Sequence, residues 1–184
     1  MKRRLLFGGI VGVGLVAAIG MTAVIQTSDL ERIHAGIEAS YDSVEHLAIE
    51  DFAALDRQEI ILFDVRQSDE FAVSHLPGAI LVDPEVSERD FEELFAGRLR
   101  GKRAIFYCSV GVRSSILADR VAKLVNSKTG KPPVNLIGGV FQWRNEERWL
   151  VSASGQSTNA IHPFDSYWGR LIEDKQAISY SPTD

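Results

Sequence analysis

The chain has a single cysteine, Cys108, and an arginine five positions after it, in the stretch Cys108-Ser109-Val110-Gly111-Val112-Arg113. A thiol becomes an effective nucleophile when its surroundings favour the thiolate, and the flanking residues provide such surroundings. Ala104 to Tyr107 are apolar and β-favouring, as in a buried strand. Ser114 to Val125 have helical periodicity, with Leu117, Val121, Leu124 and Val125 on one face and Asp119, Arg120 and Lys123 on the other. A cysteine between these two elements faces backbone N–H groups at the positive end of a helix dipole, with Arg113 beside it. The chemistry this permits is covalent. A thiolate so placed can attack an electrophilic substrate, carry the group it accepts, and pass it to a second nucleophile. Gly111 allows the tight curl the loop needs. Ser109, Ser114 and Ser115 can donate hydroxyls to an anion, although Ser114 or Ser115 equally suits a helix cap.

This six-residue run resembles the active-site loop of rhodanese sulfurtransferases. Two further landmarks flank it in the same order as in that family. The first is Asp64-Val65-Arg66, then Glu70-Phe71, then His75-Leu76-Pro77-Gly78-Ala79-Ile80; the second is Asn135-Leu136-Ile137-Gly138-Gly139-Val140 with Trp143 close behind. The resemblance covers roughly residues 43–150. It implies a rhodanese-like three-layer α/β domain with a central, mostly parallel five-stranded sheet flanked by helices. It also implies a persulfide on Cys108, with Ser109, Val110, Gly111, Val112, Arg113 and Arg66 binding substrate and Asp64 and Ser114 in support. The implied donor is a small anion, thiosulfate or polysulfide; the acceptor is a thiol or cyanide, and no cofactor takes part. Cysteine phosphatases differ in loop size, since their arginine follows the cysteine by six positions, often with a histidine before it. Here Tyr107 precedes Cys108, and the shorter ring suits one sulfur atom better than a tetrahedral phosphate. Family members that use thiosulfate efficiently often carry basic residues within the loop. Ser109 and Val110 stand there instead, which favours a polysulfide or protein persulfide as donor.

The remaining elements agree with an α/β reading. Residues 43–49 suggest a first strand, followed by a helix through 51–55. Ile60 to Phe63 are continuously apolar and end at Asp64, as expected of a parallel strand buried on both faces. Asp64 and Arg66 then lie just beyond a strand's carboxyl end, where such sheets place functional groups. Asp64 reads as a hydrogen-bond acceptor for loop amides rather than a base, and Arg66 as a partner for Glu70 or for substrate. Pro77-Gly78 marks a turn, Ile80 to Val82 a strand, and residues 88–99 a helix with Phe91, Leu94 and Phe95 inward. Val134 to Ile137 form the last strand, and Gly138-Gly139 lets the chain turn tightly into a helix carrying Phe141 and Trp143.

The net charge of −5 conceals an asymmetry: residues 29–97 hold 18 acidic and 4 basic side chains, residues 98–131 hold 9 basic and 1 acidic. Arg98, Arg100, Lys102 and Arg103 are then either a source of field drawing anions towards Cys108 or a solvated turn. An acidic chain without a recognised motif is not a nucleic-acid binder. One cysteine excludes an internal disulfide, and His34, His46, His75 and His162 lack metal-ligand spacing.

Lys2, Arg3 and Arg4 precede an uncharged apolar run from Leu5 to Ile25. As a helix it would extend about 31 Å, close to the thickness of a hydrocarbon core. Residues 1–27 therefore read as a membrane anchor or uncleaved signal, with the domain on the periplasmic or extracytoplasmic side. Ala18-Ile19-Gly20 also resembles a cleavage site, so a removed signal is the alternative. Gly12-Val13-Gly14-Leu15-Val16-Ala17 matches a dinucleotide-binding fingerprint as a string, but no strand precedes it and it is set aside. Residues 28–42 read as a stalk and 151–184 as a C-terminal extension. In that extension His162, Phe164, Tyr167 and Trp168 supply aromatic surface to dock back on the domain or to meet a protein partner or membrane interface. Residues 179–184 read as disordered. The leading reading is a membrane-tethered sulfurtransferase; the alternative is a non-catalytic rhodanese-like binding or redox module tethered in the same way.

Overall fold

The computed structural model describes residues 28–182. Five strands make one sheet: β1 (Glu45–Leu47), β2 (Ile60–Asp64), β3 (Ile80–Leu81), β4 (Arg103–Tyr107) and β5 (Val134–Leu136). Their order is β1-β5-β4-β2-β3 and every pairing is parallel. The sheet is thus wholly rather than mostly parallel. Alternation along the strands sorts the core into two halves. Ile60, Leu62, Ile105, Tyr107, Val134 and Leu136 face one cluster, while Ile61, Phe63, Ala104 and Phe106 face the other. The first half is covered by α1 (Asp29–Glu38), α2 (Ile49–Ala53) and α7 (Gly139–Asn145). The second is covered by α4 (Glu88–Leu99), α5 (Val112–Arg120) and α6 (Ala122–Thr129). A short α3 (Ser68–Val73) leads from β2 towards β3.

Helix α4 has the expected bounds, but Leu94 is 63% exposed while Phe91, Phe95 and Leu99 are buried. Leu94 lies about 100° around the helix from the centre of that stripe, so it cannot share the buried face. The helix expected over residues 114–125 is two helices joined at Val121, whose φ of −100° and ψ of 8° leave the helical basin. The inward face is nevertheless continuous, since Leu117, Val121, Leu124 and Val125 are all buried.

Residues 28–42 hold α1, which starts in a capping box between Ser28 and Glu31. Leu30 and Ile37 are buried against the domain. Residues 151–182 pack on the same half of the core. A two-stranded ribbon, β6 (Leu150–Val151) with β7 (Ser157–Thr158), is followed by two 3₁₀ turns, Trp168–Leu171 and Lys175–Ala177. The docking is mainly aliphatic, with Ile161, Leu171, Ile172 and Ala177 buried; of the aromatic residues His162 is buried and Trp168 packs partly buried on the same cluster, while Phe164 and Tyr167 are exposed. The tail is ordered further than expected, because the Ser179 N–H donates to the Ile161 carbonyl and Tyr180 meets the His162 ring edge-on. No helix among the described residues is long and apolar enough to cross a membrane, and the run from Leu5 to Ile25 lies outside the described residues.

Candidate active site

Cys108 follows directly on β4, whose neighbours in the sheet are β2 and β5. Strand-to-helix geometry turns the chain sharply there, and Gly111 makes the turn possible with φ at 104° as the N-cap of α5. The Gly111 N–H donates to Cys108 Sγ at 3.2 Å. A side chain at Gly111 would stand 3.1 Å from Asn135 Nδ2 and 3.3 Å from Ile37 Cδ1, so β5 and α1 both press on the loop. The loop carbonyls are held on the opposite side. Cys108 O accepts from the Val140 N–H at 2.9 Å and Ser109 O from the Phe141 N–H at 3.1 Å. With its acceptors engaged by the first turn of α7, the loop is left to present donors towards the sulfur.

That back-to-back contact is very close. A Cβ on Gly139 would lie 2.3 Å from the Cys108 carbonyl oxygen and 2.8 Å from that of Ser109. Gly138 and Gly139 both have positive φ, at 69° and 56°. The Gly-Gly pair is therefore a positioning element for the cysteine as well as a turn.

The rim is built from Ser109, Arg113 and Glu70. Arg113 donates from Nη1 to Glu70 Oε2 at 2.7 Å and from Nη2 to Oε1 at 2.8 Å, and Nη2 also reaches Ser109 Oγ at 2.9 Å. The Ser109 hydroxyl donates to Glu70 Oε1 at 3.0 Å, and the Gln67 N–H to Oε2 at 3.0 Å. Burial alone would raise the Glu70 pKa, but the hydrogen bonds and charge of Arg113 outweigh it and hold the carboxyl below its ordinary range. Burial likewise opposes the Arg113 cation, and Glu70 and the Cys108 sulfur more than restore it. Glu70 is thus the partner of Arg113 and not of Arg66.

Arg66 does not face the site. It is fully buried beneath the loop, donating from Nε to Asp64 Oδ1 at 2.9 Å, from Nη2 to Asp64 Oδ2 at 2.8 Å and to the Ser74 carbonyl at 2.6 Å. Asp64 accepts from this guanidinium and from the Tyr107 hydroxyl rather than from loop amides. The Tyr107 oxygen in turn accepts the Leu76 N–H at 3.0 Å. Burial and the Asp64 charge push the Tyr107 pKa well above its ordinary value, so the phenol stays a donor. Ser114 is likewise no cap; its hydroxyl donates to Asn135 Oδ1 at 2.7 Å and ties α5 to β5.

Cys108 borders a cavity of about 140 Å³, bounded by Val110, Val112 and Arg113 on the loop side and by Phe164 and Trp168 opposite. The Arg113 guanidinium lies over the Phe164 ring at 4.9 Å. Neither aromatic residue was assigned to the site from sequence, although their clustering after a polar linker is the available signal. Arg98, Arg100 and Lys102 are at the other end of β4, where they line a separate concave surface of about 590 Å³. Five strand residues separate them from Cys108 by about 16 Å, so they are no part of its rim. Among the described residues no three His, Cys, Asp or Glu side chains are grouped to hold a metal.

A sequence profile of the rhodanese-like domain matches residues 51–146, more than half of the chain. The chain belongs to the rhodanese-like family. The rhodanese-like match takes in the cysteine loop, Glu70, Asp64 and the Gly-Gly turn, and leaves α1 and the segment with Phe164 and Trp168 outside it. Relatives are distant. The tRNA uridine(34) hydroxylase of Cytophaga hutchinsonii is 26% identical over 140 residues, which are 74% of this chain and 41% of that protein. The crystal structure of a thiosulfate sulfurtransferase from Pseudomonas aeruginosa superposes with a TM-score of 0.50 at 25% identity, covering 78% of this chain and 26% of that one. A human single-domain sulfurtransferase gives 0.39 at 21% identity, covering 54% of this chain and 95% of that one.

Proposed function

We propose that this rhodanese-like protein is a sulfurtransferase, moving a sulfane sulfur from a small donor (thiosulfate or polysulfide) through a Cys108 persulfide to a thiol or cyanide. The observation that carries the reading is the Gly111 N–H bonded to Cys108 Sγ in a loop whose carbonyls are turned away into α7. Attack by the thiolate on the outer sulfur of the donor forms the new S–S bond, and the donor remainder leaves with the electron pair of the broken one. The terminal sulfur of the persulfide then carries negative charge, which loop amides and the N-terminal dipole of α5 stabilise. An acceptor nucleophile removes that sulfur and regenerates the thiolate. Ser109, Gly111 and Arg113 shape the cup; Glu70, Asn135 and Gly139 act through them as positioning residues.

The apolar run from Leu5 to Ile25, with Lys2 to Arg4 before it and Asp29 and Glu31 after it, supports a single-pass tether with the domain outside the cytoplasm. A protein partner at the C-terminal extension is part of the same proposal, supported by the exposed Tyr167 and Tyr180. Steady-state thiocyanate formation from polysulfide and cyanide tests the activity. Parallel double-reciprocal lines, lost in Cys108→Ser, are expected of a covalent carrier. Turnover that survives Cys108→Ser contradicts it.

A further inference from the structure

The pocket against Cys108 is small and apolar, and the cation at its edge is already neutralised. Its volume of about 140 Å³ matches four or five water molecules at roughly 30 Å³ each. Val110, Val112, Phe164 and Trp168 supply its walls. Arg113 gives both terminal nitrogens to the Glu70 carboxylate, and the Phe164 ring covers its face. The Arg66 charge is paired with Asp64, and the side chain, including its unpartnered Nη1, is fully buried and not open to the pocket. A dianion entering here would lose water and gain main-chain dipoles without an unpaired cation, which is unfavourable in so apolar a space.

Phe164 is also held there against its own preference. Its φ is 67°, a left-handed conformation uncommon for a bulky residue. The surrounding chain enforces it: the Phe164 N–H donates to His162 Nδ1 at 3.0 Å, and the Asp165 N–H to the Pro163 carbonyl at 2.9 Å. Pro163 is in turn packed so closely on Gly169 that a Cβ there would lie 2.8 Å from it. Strain kept by an over-determined segment marks a functional placement, and here it presents a ring to the mouth of the cysteine pocket.

From these features we infer that the Cys108 pocket selects a small alkyl persulfide, R–S–SH, whose R group is uncharged, over dianionic donors and donors with a charged R, with Phe164 and Trp168 as the specificity-determining residues that hold R. This rests on the sulfurtransferase reading above and names its substrate class. The Cys108 thiolate attacks the outer sulfur of R–S–SH; a bond forms between the two sulfurs, the original S–S bond breaks, and R–S⁻ leaves with its electron pair. The product is Cys–S–SH, and no external oxidant or reductant is needed.

The test uses the full chain and follows addition of one sulfur, about 32 Da, by intact mass. Propyl persulfide and 2-carboxyethyl persulfide present the same reacting sulfurs and differ in the charge on R. The donor with the uncharged R is expected to load Cys108 at least tenfold faster, and thiosulfate to be slower than either. Phe164→Asn, which keeps a residue tolerant of positive φ, and Trp168→Ala should each reduce the propyl-to-carboxyethyl ratio by about tenfold, the change that roughly 50 Å² of lost apolar contact produces. Equal rates for the two persulfides in the wild-type protein overturn the inference and leave sulfur transfer intact. A ratio unmoved by both substitutions overturns the role of the two aromatics. Failure of every donor to load Cys108 removes the sulfurtransferase reading and this inference with it.

Discussion

Replacing Gly139 with alanine should disable the site from behind, by pressing on the loop backbone and on no side chain that meets substrate. The φ of 56° at this position costs an L-residue about 1–2 kcal/mol. The added Cβ would also lie 2.3 Å from the Cys108 carbonyl oxygen. Cβ contacts below 3.0 Å are essentially never seen, so the two backbones must separate by at least about 0.7 Å. Forced expansion of packed structure adds about 1–3 kcal/mol, giving a total loss of roughly 2–5 kcal/mol by urea unfolding. Misplacing a reacting group by about 1 Å slows chemistry on the order of 10²-fold, so sulfur loading on Cys108 by polysulfide should fall by about that factor. Gly138→Ala is the control. It has a similar φ of 69°, but its Cβ would meet Gln142 and not the cysteine loop. It should lose stability while keeping its loading rate to within about threefold. A Gly139→Ala protein that loads at the wild-type rate, or a Gly138→Ala protein slowed equally, would refute the coupling between the turn and the loop.

Glu70→Gln should cost about 2–3 kcal/mol in urea unfolding, since it leaves the half-buried Arg113 cation without its carboxylate; a change under 0.5 kcal/mol would mean the pair is only decorative. The same comparison has a defined pH dependence. Because the folded-state pKa of Glu70 is held below its ordinary value, its contribution is fully present above the unfolded value of about 4.3 and is lost as pH falls through the folded one. The stability gap between wild type and Glu70→Gln should therefore be constant from pH 7 to about 5 and narrow below about 4; a gap that widens on acidification contradicts the assignment. Tyr107→Phe removes the donor to Asp64 and the acceptor of the Leu76 N–H, and should destabilise by about 1–3 kcal/mol in the same assay. An effect near zero would mean that water replaces the hydroxyl.

What the sequence made legible was what local chemistry dictates. The cysteine loop, the apolar run ending at Asp64, the bounds of α4 and the Gly-Gly turn all follow from residue types read over short stretches, the longest being the 12 residues of α4. Pairings between distant segments were not legible. Glu70 is four residues from Arg66, which invites a local pair, but β2 and β4 are adjacent and bring Arg113 to the carboxylate from 43 residues away. The basic segment before β4 is near Cys108 in sequence, yet an extended strand carries the two to opposite ends of the sheet. Residues 28–42 were too polar on average to suggest docking, although Leu30 and Ile37 lie two turns apart on one face of α1 and are buried. In sequence Phe164 reads as docking surface; only the fold of the segment after β7 puts its ring across from the thiol.

Intact mass after brief exposure to polysulfide tests the central claim most directly, because it reads the covalent intermediate without an acceptor. The wild-type chain should gain about 32 Da and lose it again on adding cyanide, while Cys108→Ser stays at its starting mass. A wild-type chain that gains nothing, or a serine variant that gains the same increment, contradicts a persulfide on Cys108.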